Sequence, residues 1–341
     1  MTDWVYPAGT AAEGPWAVSL GAHDSATVVP GWTHTGLKVA ELGAGATVEL
    51  PAAGEERIVV PLTGALVATV DGVRYELAGR DSVFDGPSDV LYTGTGTALT
   101  LTAADGGRVA IALAPAQRSY PARLVTAAET PVELRGAGNC SRQVHNFGTP
   151  MALEADRFIV CEVITPSGNW SSYPPHKHDE EKDGETSLEE IYYFETRASP
   201  GPSAPPSTDP VGYARVYASD DRPIDVAAEV RTGDVVLVPY GWHGPAMAAP
   251  GYDLYYLNVM AGPGRVRDWL ISDDPHHGWV RSTWDAQEID PRLPFTTGQS
   301  PRGVDPRATI RGDTRGGAVG VPPSNQSNRT APTSDPGTTP R

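Results

Sequence analysis

Short runs of apolar and β-branched residues, separated by glycine, proline and aspartate, recur through the first part of the chain. They occupy residues 46–50, 57–62, 65–70, 73–77 and 98–102. Runs of this length and composition are typical of strands. Val70-Asp71-Gly72-Val73 is the signal of a two-residue type I′ hairpin. We therefore predict an all-β sandwich or barrel over residues 1–135.

The second half of the chain repeats this plan. Residues 233–237 occupy the place that residues 79–84 hold in the first half, because each segment ends a strand with a turn and starts an apolar one. This weak internal duplication predicts a second barrel over residues 136–297. Residues 298–341 contain mainly Gly, Pro, Ser, Thr and Arg, with almost no apolar side chains, which predicts a disordered tail.

Three histidines and a glutamate stand out in the predicted second barrel. His176 and His178 are two positions apart, so in an extended strand their imidazoles leave the same face. Glu190 lies in an aromatic, strand-forming run, and His243 follows the turn that ends an apolar strand. A His-x-His pair alone is more often an accident of the surface or core. All four residues together suit one divalent ion such as Zn, Mn or Fe.

The first half offers no equivalent ligands. Its matching turn carries Asp-Gly-Pro-Ser at residues 85–88, without a histidine. We therefore expect one metal site, in the second barrel only. The distance in sequence between His178 and Glu190 requires that the acidic residues 179–187 bulge out as a loop between the ligand strands.

Four neighbours of these ligands are candidates for moving protons during catalysis, namely Lys177, Glu189, Tyr192 and Tyr193. Strand alternation should send Tyr192 to the same face as Glu190, and Glu189 and Tyr193 to the opposite face. The sequence does not assign the base among the four.

The stretch between the predicted barrels, residues 134–150, is rich in hydrogen-bond donors. One interpretation is a loop that bonds to itself. The other is that Arg135 or Arg142 binds a substrate carboxylate in bidentate fashion, with His145 nearby. Tyr255 is a further candidate substrate-binding residue, although tyrosines that line barrels are often plain packing residues.

Net charge and cysteine content indicate which binding partners and which cellular compartment to expect. The formal net charge of -16 disfavours nucleic acid and anionic membrane surfaces. The two cysteines are too few for a disulfide framework, and the amino terminus shows no secretion signal. We expect a cytoplasmic protein without nucleic acid or membrane partners. The sequence is compatible with a homo-oligomer but does not indicate one.

Several motifs together resemble the 5-deoxy-glucuronate isomerase family, bicupins related to the 4-deoxy-threo-hexosulose-uronate ketol-isomerases. These motifs are residues 135–147, 168–179, 188–194 and 253–263. The His-x-His, Glu and Gly-x5-Pro-x-Gly-x-His pattern is also similar to the two cupin motifs. The resemblance implies two double-stranded β-helix (jelly-roll) barrels in tandem. Its metal ligands would be His176, His178, Glu190 and His243.

The family implies a metal-dependent aldose–ketose isomerase that converts 5-deoxy-D-glucuronate to 5-dehydro-2-deoxy-D-gluconate in myo-inositol catabolism. The ion would polarise the aldehyde and the adjacent hydroxyl of the substrate. Two alternatives stay open, an Fe(II)-dependent cupin dioxygenase and a non-catalytic sugar-binding cupin. The choice between an enediol and a hydride shift is open as well.

Overall fold

The structure is a computed structural model that describes residues 4–21, 29–200, 204–219 and 222–296, so the predicted tail, residues 298–341, lies outside the described residues. Strands dominate, and they form two successive barrels, which confirms the all-β prediction. The described residues also contain three 3₁₀ helices, Val83–Asp85, Gly138–Cys140 and Gly278–Ala286. No helix within these ranges is long and apolar enough to cross a membrane.

The first barrel is built around one long strand, β5. The strands of the first part of the chain are β1 Val5–Tyr6, β2 Trp16–Gly21, β3 Gly36–Leu42, β4 Ala46–Leu50, β5 Glu55–Val70, β6 Val73–Arg80, β7 Val90–Thr93, β8 Leu99–Ala103, β9 Gly107–Pro115 and β10 Arg123–Val125. β5 pairs with β6, β7, β8 and β9. The predicted hairpin is present, because Val70 pairs with Val73 and both turn residues, Asp71 and Gly72, have positive φ.

The second barrel consists of two facing sheets. Its strands are β11 Val132–Arg135, β12 Arg142–Gly148, β13 Ile159–Thr165, β14 Trp170–Ser171, β15 His176–Lys177, β16 Glu189–Ala198, β17 Gly212–Ser219, β18 Arg222–Val230, β19 Val235–Val238, β20 Trp242–Ala248, β21 Tyr252–Ala261 and β22 Ser272–Asp273. One sheet has the order β1-β19-β16-β21-β13-β12-β11. The other has the order β18-β17-β20-β15-β22, with β14 on β20.

Two short strands from the predicted first unit belong to the sheet of the second barrel. β1 pairs with β19, and β11 pairs with β12. The two barrels therefore share more of the chain than a simple division at residue 135 implies.

Alternate side chains of β16 enter two different apolar layers. Tyr192 and Phe194 pack in the interior of the second barrel. Ile191 and Tyr193 pack in a layer that also contains residues of the first barrel, such as Ile58. The strand is therefore buried on both faces, which explains why its sequence is almost continuously apolar or aromatic.

A buried group of charges joins the barrels. The guanidinium of Arg80 donates two hydrogen bonds of 2.7 Å to the carboxylate of Glu162, and both side chains are nearly inaccessible to solvent. His145 Nδ1 lies 2.6 Å from Glu162 Oε1, and the Tyr255 hydroxyl donates to Glu162 Oε2 at 2.7 Å. Burial opposes ionisation of Glu162, but Arg80 and His145 lower its pKa to about 2.

We expect Glu162→Gln to lower the free energy of unfolding by about 3–5 kcal/mol, because it leaves the Arg80 guanidinium buried without a carboxylate. The control is Glu76→Gln, which breaks an exposed ion pair with Arg74 and should change stability little. Denaturant unfolding measures both. The deficit of Glu162→Gln should be constant above about pH 5 and shrink as the pH falls toward 2. Equal stability of the two variants would contradict this role.

Candidate metal site

Strand pairing brings three buried histidines together in the second barrel. His176 in β15 pairs directly with His243 in β20. The ring centroids of His176 and His243 are 4.5 Å apart, and those of His178 and His243 are 4.7 Å apart. All three side chains are buried. The barrel therefore gathers imidazoles from two separate stretches of sequence.

The acidic insertion at residues 179–187 does not separate His178 from Glu190. The backbone N–H of Leu188 donates to the carbonyl oxygen of His178 at 2.8 Å, so the ends of the loop meet. The ligand atoms of His178, Glu190 and His243 all lie within 4.8 Å of one another. The bulge predicted from the sequence is thus a closed loop beside the site.

The Glu190 carboxylate lies between two imidazoles. Its Oε2 is 3.2 Å from Nε2 of His178 and 3.1 Å from Nε2 of His243. Its Oε1 accepts a 2.6 Å hydrogen bond from Nδ2 of Asn258. Burial opposes the ionised form, but His243 and His178 lower the pKa of Glu190 to about 2. The group therefore contains a carboxylate whose orientation is fixed by an amide.

The donor atoms of this group fit a divalent cation. Nε2 of His243 is buried and makes no hydrogen bond within the described part of the chain, although it lies close to Glu190. Nδ1 of His176 is 3.2 Å from the carbonyl oxygen of Pro174, so its other nitrogen is left for a ligand bond. Burial and the neighbouring His243 and His178 hold the pKa of His176 well below its ordinary value. Neutral imidazole is the form that binds metal.

A chain of hydroxyls lies beside the histidines. The Tyr192 ring is 6.3 Å from the His243 ring and stacks on Tyr256 at 5.0 Å. The hydroxyl of Ser172 is 3.1 Å from the hydroxyls of both tyrosines. Burial raises the pKa of Tyr192 well above its ordinary value, so the phenol is protonated at neutral pH. It can donate a proton or relay one through Ser172.

Lys177 has different partners. Its ammonium group donates to Asp179 at 2.7 Å and to Glu185 at 2.9 Å, while Arg222 contacts Asp179 at 2.6 Å. Burial opposes its charge, but the hydrogen bonds to Asp179 and Glu185 raise the pKa of Lys177. Lys177, a predicted proton-transfer residue, therefore neutralises the carboxylates of the acidic loop.

Glu189 and Tyr193 also lie away from the three histidines. The carboxylate of Glu189 accepts hydrogen bonds from the backbone N–H groups of residues 33–35, at 2.7–3.1 Å. The hydroxyl of Tyr193 accepts from Arg108 at 2.6 Å, and Arg108 also pairs with Glu195. These contacts attach β16 to the first barrel. Of the four predicted proton-transfer residues, only Tyr192 lies beside the His/Glu group.

The two predicted carboxylate-binding arginines differ in their partners. Arg135 donates to both oxygens of Glu133, at 2.9 and 2.7 Å. Arg142 is buried and donates to the carbonyl oxygens of Cys140 and Tyr173 at 3.0 and 3.4 Å. No carboxylate of the described chain lies within 4 Å of it. Burial and the charge of Arg135 lower the pKa of Arg142 to about 10.

Strand alternation separates the other two predicted substrate-binding residues from Arg142. Arg142 lies on the same face of β12 as Val144, which packs in the interior of the second barrel. His145 and Tyr255 instead bond to Glu162 in the layer between the barrels. The structure does not bring these two residues to the histidines.

Three polar residues of the site are additional to the predicted ones, namely Asn258, Ser172 and Tyr256. Asn258 lies between the apolar residues Leu257 and Val259 of strand β21, and a buried asparagine in such a run is a signal that sequence analysis could use. Ser172 has a positive φ of 45°, which no feature of its sequence indicates.

Known proteins of similar fold support the cupin assignment. An IolB-like protein from Salmonella typhimurium LT2 superposes with a TM-score of 0.72 and 33% identity, covering 82% of this chain and 99% of that one. An oxalate decarboxylase of Bacillus subtilis, described with Mn(II) centres, gives a TM-score of 0.52 at 11% identity, over 80% of each chain. The cupin fold predicted from the motifs is confirmed.

Curated relatives agree at the level of sequence. A 5-deoxy-glucuronate isomerase of Geobacillus kaustophilus is 43% identical over 253 residues, 73% of this chain and 87% of the relative. The enzyme of the same name from Bacillus subtilis strain 168 is 38% identical over 76% of this chain and 92% of its own length. The sequence pattern of the KduI/IolB family matches residues 7–280. The chain therefore belongs to the KduI/IolB family.

Proposed function

We propose that this protein is a metal-dependent aldose–ketose isomerase that converts 5-deoxy-D-glucuronate to 5-dehydro-2-deoxy-D-gluconate in myo-inositol catabolism. The names of its relatives support the reaction. The observation that carries the proposal is the composition of one barrel interior. It combines a His/Glu group of metal-ligand type with Arg142, a buried cation that has no carboxylate partner.

His178, Glu190 and His243 would hold the ion, with His176 as the fourth ligand. A divalent ion on this ligand set supplies Lewis acidity, which polarises the substrate's carbonyl group and the adjacent hydroxyl. Asn258 fixes the Glu190 carboxylate through its 2.6 Å hydrogen bond, as residues behind metal ligands commonly do.

The reaction needs no external oxidant or reductant. The hydrogen on the carbon beside the aldehyde moves to the aldehyde carbon, and the proton of the hydroxyl oxygen moves to the former aldehyde oxygen. Tyr192 would transfer the proton between the two oxygens, a role supported by the contact of its neutral phenol with Ser172 and by its position beside His243. Arg142 would bind the distant carboxylate of the sugar acid and so orient the chain of carbons.

The proposal predicts anaerobic turnover. Protein loaded with Mn(II), Zn(II) or Fe(II) should convert 5-deoxy-D-glucuronate to the ketose without consuming oxygen. Deuterium on the carbon beside the aldehyde distinguishes an enediol, which exchanges the label with water, from a hydride shift, which retains it. A product that forms only with oxygen would indicate a dioxygenase instead, and binding without turnover would indicate a sugar-binding module.

Substitution of a proposed metal ligand should weaken metal binding more than substitution of a residue that only orients a ligand. We expect His243→Ala to weaken binding by more than about 100-fold, because loss of a residue that only orients a ligand already costs about 10–100-fold. Asn258→Ala should weaken metal binding by about 10–100-fold, because Asn258 only orients the Glu190 carboxylate. The exposed His277→Ala is the control and should bind as the wild type does. Equilibrium dialysis with metal analysis provides the affinities, and unchanged binding by His243→Ala would contradict the assignment.

Arg142→Gln should raise the KM for the uronic acid by about 10–100-fold, since hydrogen bonds to a charged group contribute about 1.5–3 kcal/mol. Stability should not fall by more than about 1 kcal/mol, because the variant removes a buried charge that lacks a counter-ion. Arg135→Gln is the comparison, and its effect on KM should be smaller because Arg135 is already paired. A larger KM effect in Arg135→Gln would reverse the two roles.

A further inference from the structure

Residues 272–290, here called the closing segment, begin in β22, which pairs with the strand of His176, and end beside the start of β12. At one end Asp273 pairs in register with His176. At the other end the backbone N–H of Asp290 donates to the hydroxyl of Ser141 at 3.0 Å, directly before Arg142. The closing segment is therefore attached beside both the His/Glu group and the unpaired arginine.

The ring of Trp284, in the closing segment, lies close to two guanidinium groups. The centre of its ring is 5.5 Å from Cζ of Arg142 and 5.4 Å from Cζ of Arg281. Arg281 donates to both oxygens of Asp273, so its charge is balanced. Arg142, by contrast, forms no ion pair with any carboxylate of the described chain, and Glu133, which lies near it, is already paired with Arg135. The indole face can stabilise both cations, but it does not neutralise them.

The indole N–H of Trp284 has no oxygen or nitrogen acceptor among the described residues, and the Cys140 thiol is the one acceptor close to it. Its Nε1 is buried, and apart from the thiol of Cys140 no described residue accepts from it. The neighbouring thiol of Cys140 is only a weak acceptor. Buried indole N–H groups usually have a partner, because an unsatisfied donor costs free energy. Packing of the ring explains the position of Trp284 but not a buried donor whose one acceptor is a weak one.

We propose that Trp284 is a specificity-determining residue, whose indole N–H donates to the substrate carboxylate that Arg142 holds. A carboxylate has enough acceptor sites to take hydrogen bonds from the guanidinium and the indole together. The subsite would select sugar acids over neutral sugars, because a hydroxymethyl group would leave the Arg142 charge unbalanced. The inference rests on the proposed function for the statement that the ligand is a sugar acid.

Equilibrium binding of D-glucuronate and D-glucose to the Mn(II)-loaded protein tests the proposal without turnover. Trp284→Phe keeps an aromatic ring over the arginines and removes the N–H. We expect it to bind glucuronate about 10–50-fold more weakly and glucose unchanged. Trp279→Phe is the matched control, because Trp279 belongs to the same 3₁₀ helix and is 66% exposed. It should bind both sugars as the wild type does.

Trp284→His restores a ring N–H and should regain part of the affinity for glucuronate. It also provides a second variant if Trp284→Phe does not fold. Unchanged glucuronate affinity in folded Trp284→Phe, a Trp284→His variant that binds glucuronate no better than Trp284→Phe, equal losses for both sugars, or no binding of glucuronate by the wild type would overturn the proposal. If the wild type binds glucuronate through Trp284 but does not isomerise 5-deoxy-D-glucuronate, the isomerase assignment fails and the carboxylate subsite stands.

Discussion

The two-residue period of strand β16 determines how the rest of the molecule is arranged. Glu190 and Tyr192 point into the second barrel, whereas Glu189, Tyr193 and Glu195 contact the first barrel. The same strand therefore carries a proposed metal ligand on one face and the interdomain contacts on the other. The first barrel, in which the described residues form no His/Glu metal group, positions the strand that holds Glu190. This gives the first barrel a structural role in the proposed chemistry.

Two groups of buried charge are neutralised by ion pairs in the described chain, whereas several polar groups of the candidate site lack such partners. The Arg80–Glu162 pair joins the barrels, and Lys177 with Arg222 neutralises the acidic loop. In the candidate site, by contrast, Nε2 of His243 makes no hydrogen bond although it lies close to Glu190, and the N–H of Trp284 has only the weak acceptor Cys140. Arg142 bonds to no carboxylate among the described residues. Unpaired buried polar groups cost free energy. Their concentration in one interior is the expected consequence of a site made for an ion and an anionic sugar.

The strand pattern and the cupin motifs predicted the fold and the gathering of His178, Glu190 and His243. They also predicted that Tyr192 shares a face with Glu190. The local sequence did not indicate the hydrogen-bond partners of the other predicted site residues. Arg135 and Arg142 look equivalent in the sequence, and only the position of Glu133 distinguishes them. His145 and Tyr255 lie in motifs near the site but contact a carboxylate that is itself bonded to Arg80, far away in sequence. Trp284 comes from a segment without strand periodicity, so alternation could not place it.

The central claim is that one divalent ion is held by the His/Glu group of the second barrel. Anomalous diffraction from crystals of the metal-loaded protein tests it most directly. We expect a single peak about 2.0–2.2 Å from the ring nitrogens of the histidines and from the carboxylate of Glu190. The acidic loop is the other cluster of possible ligands, formed by Asp179, Glu180 and Glu185. A peak at that loop, or none within the second barrel, would contradict the account.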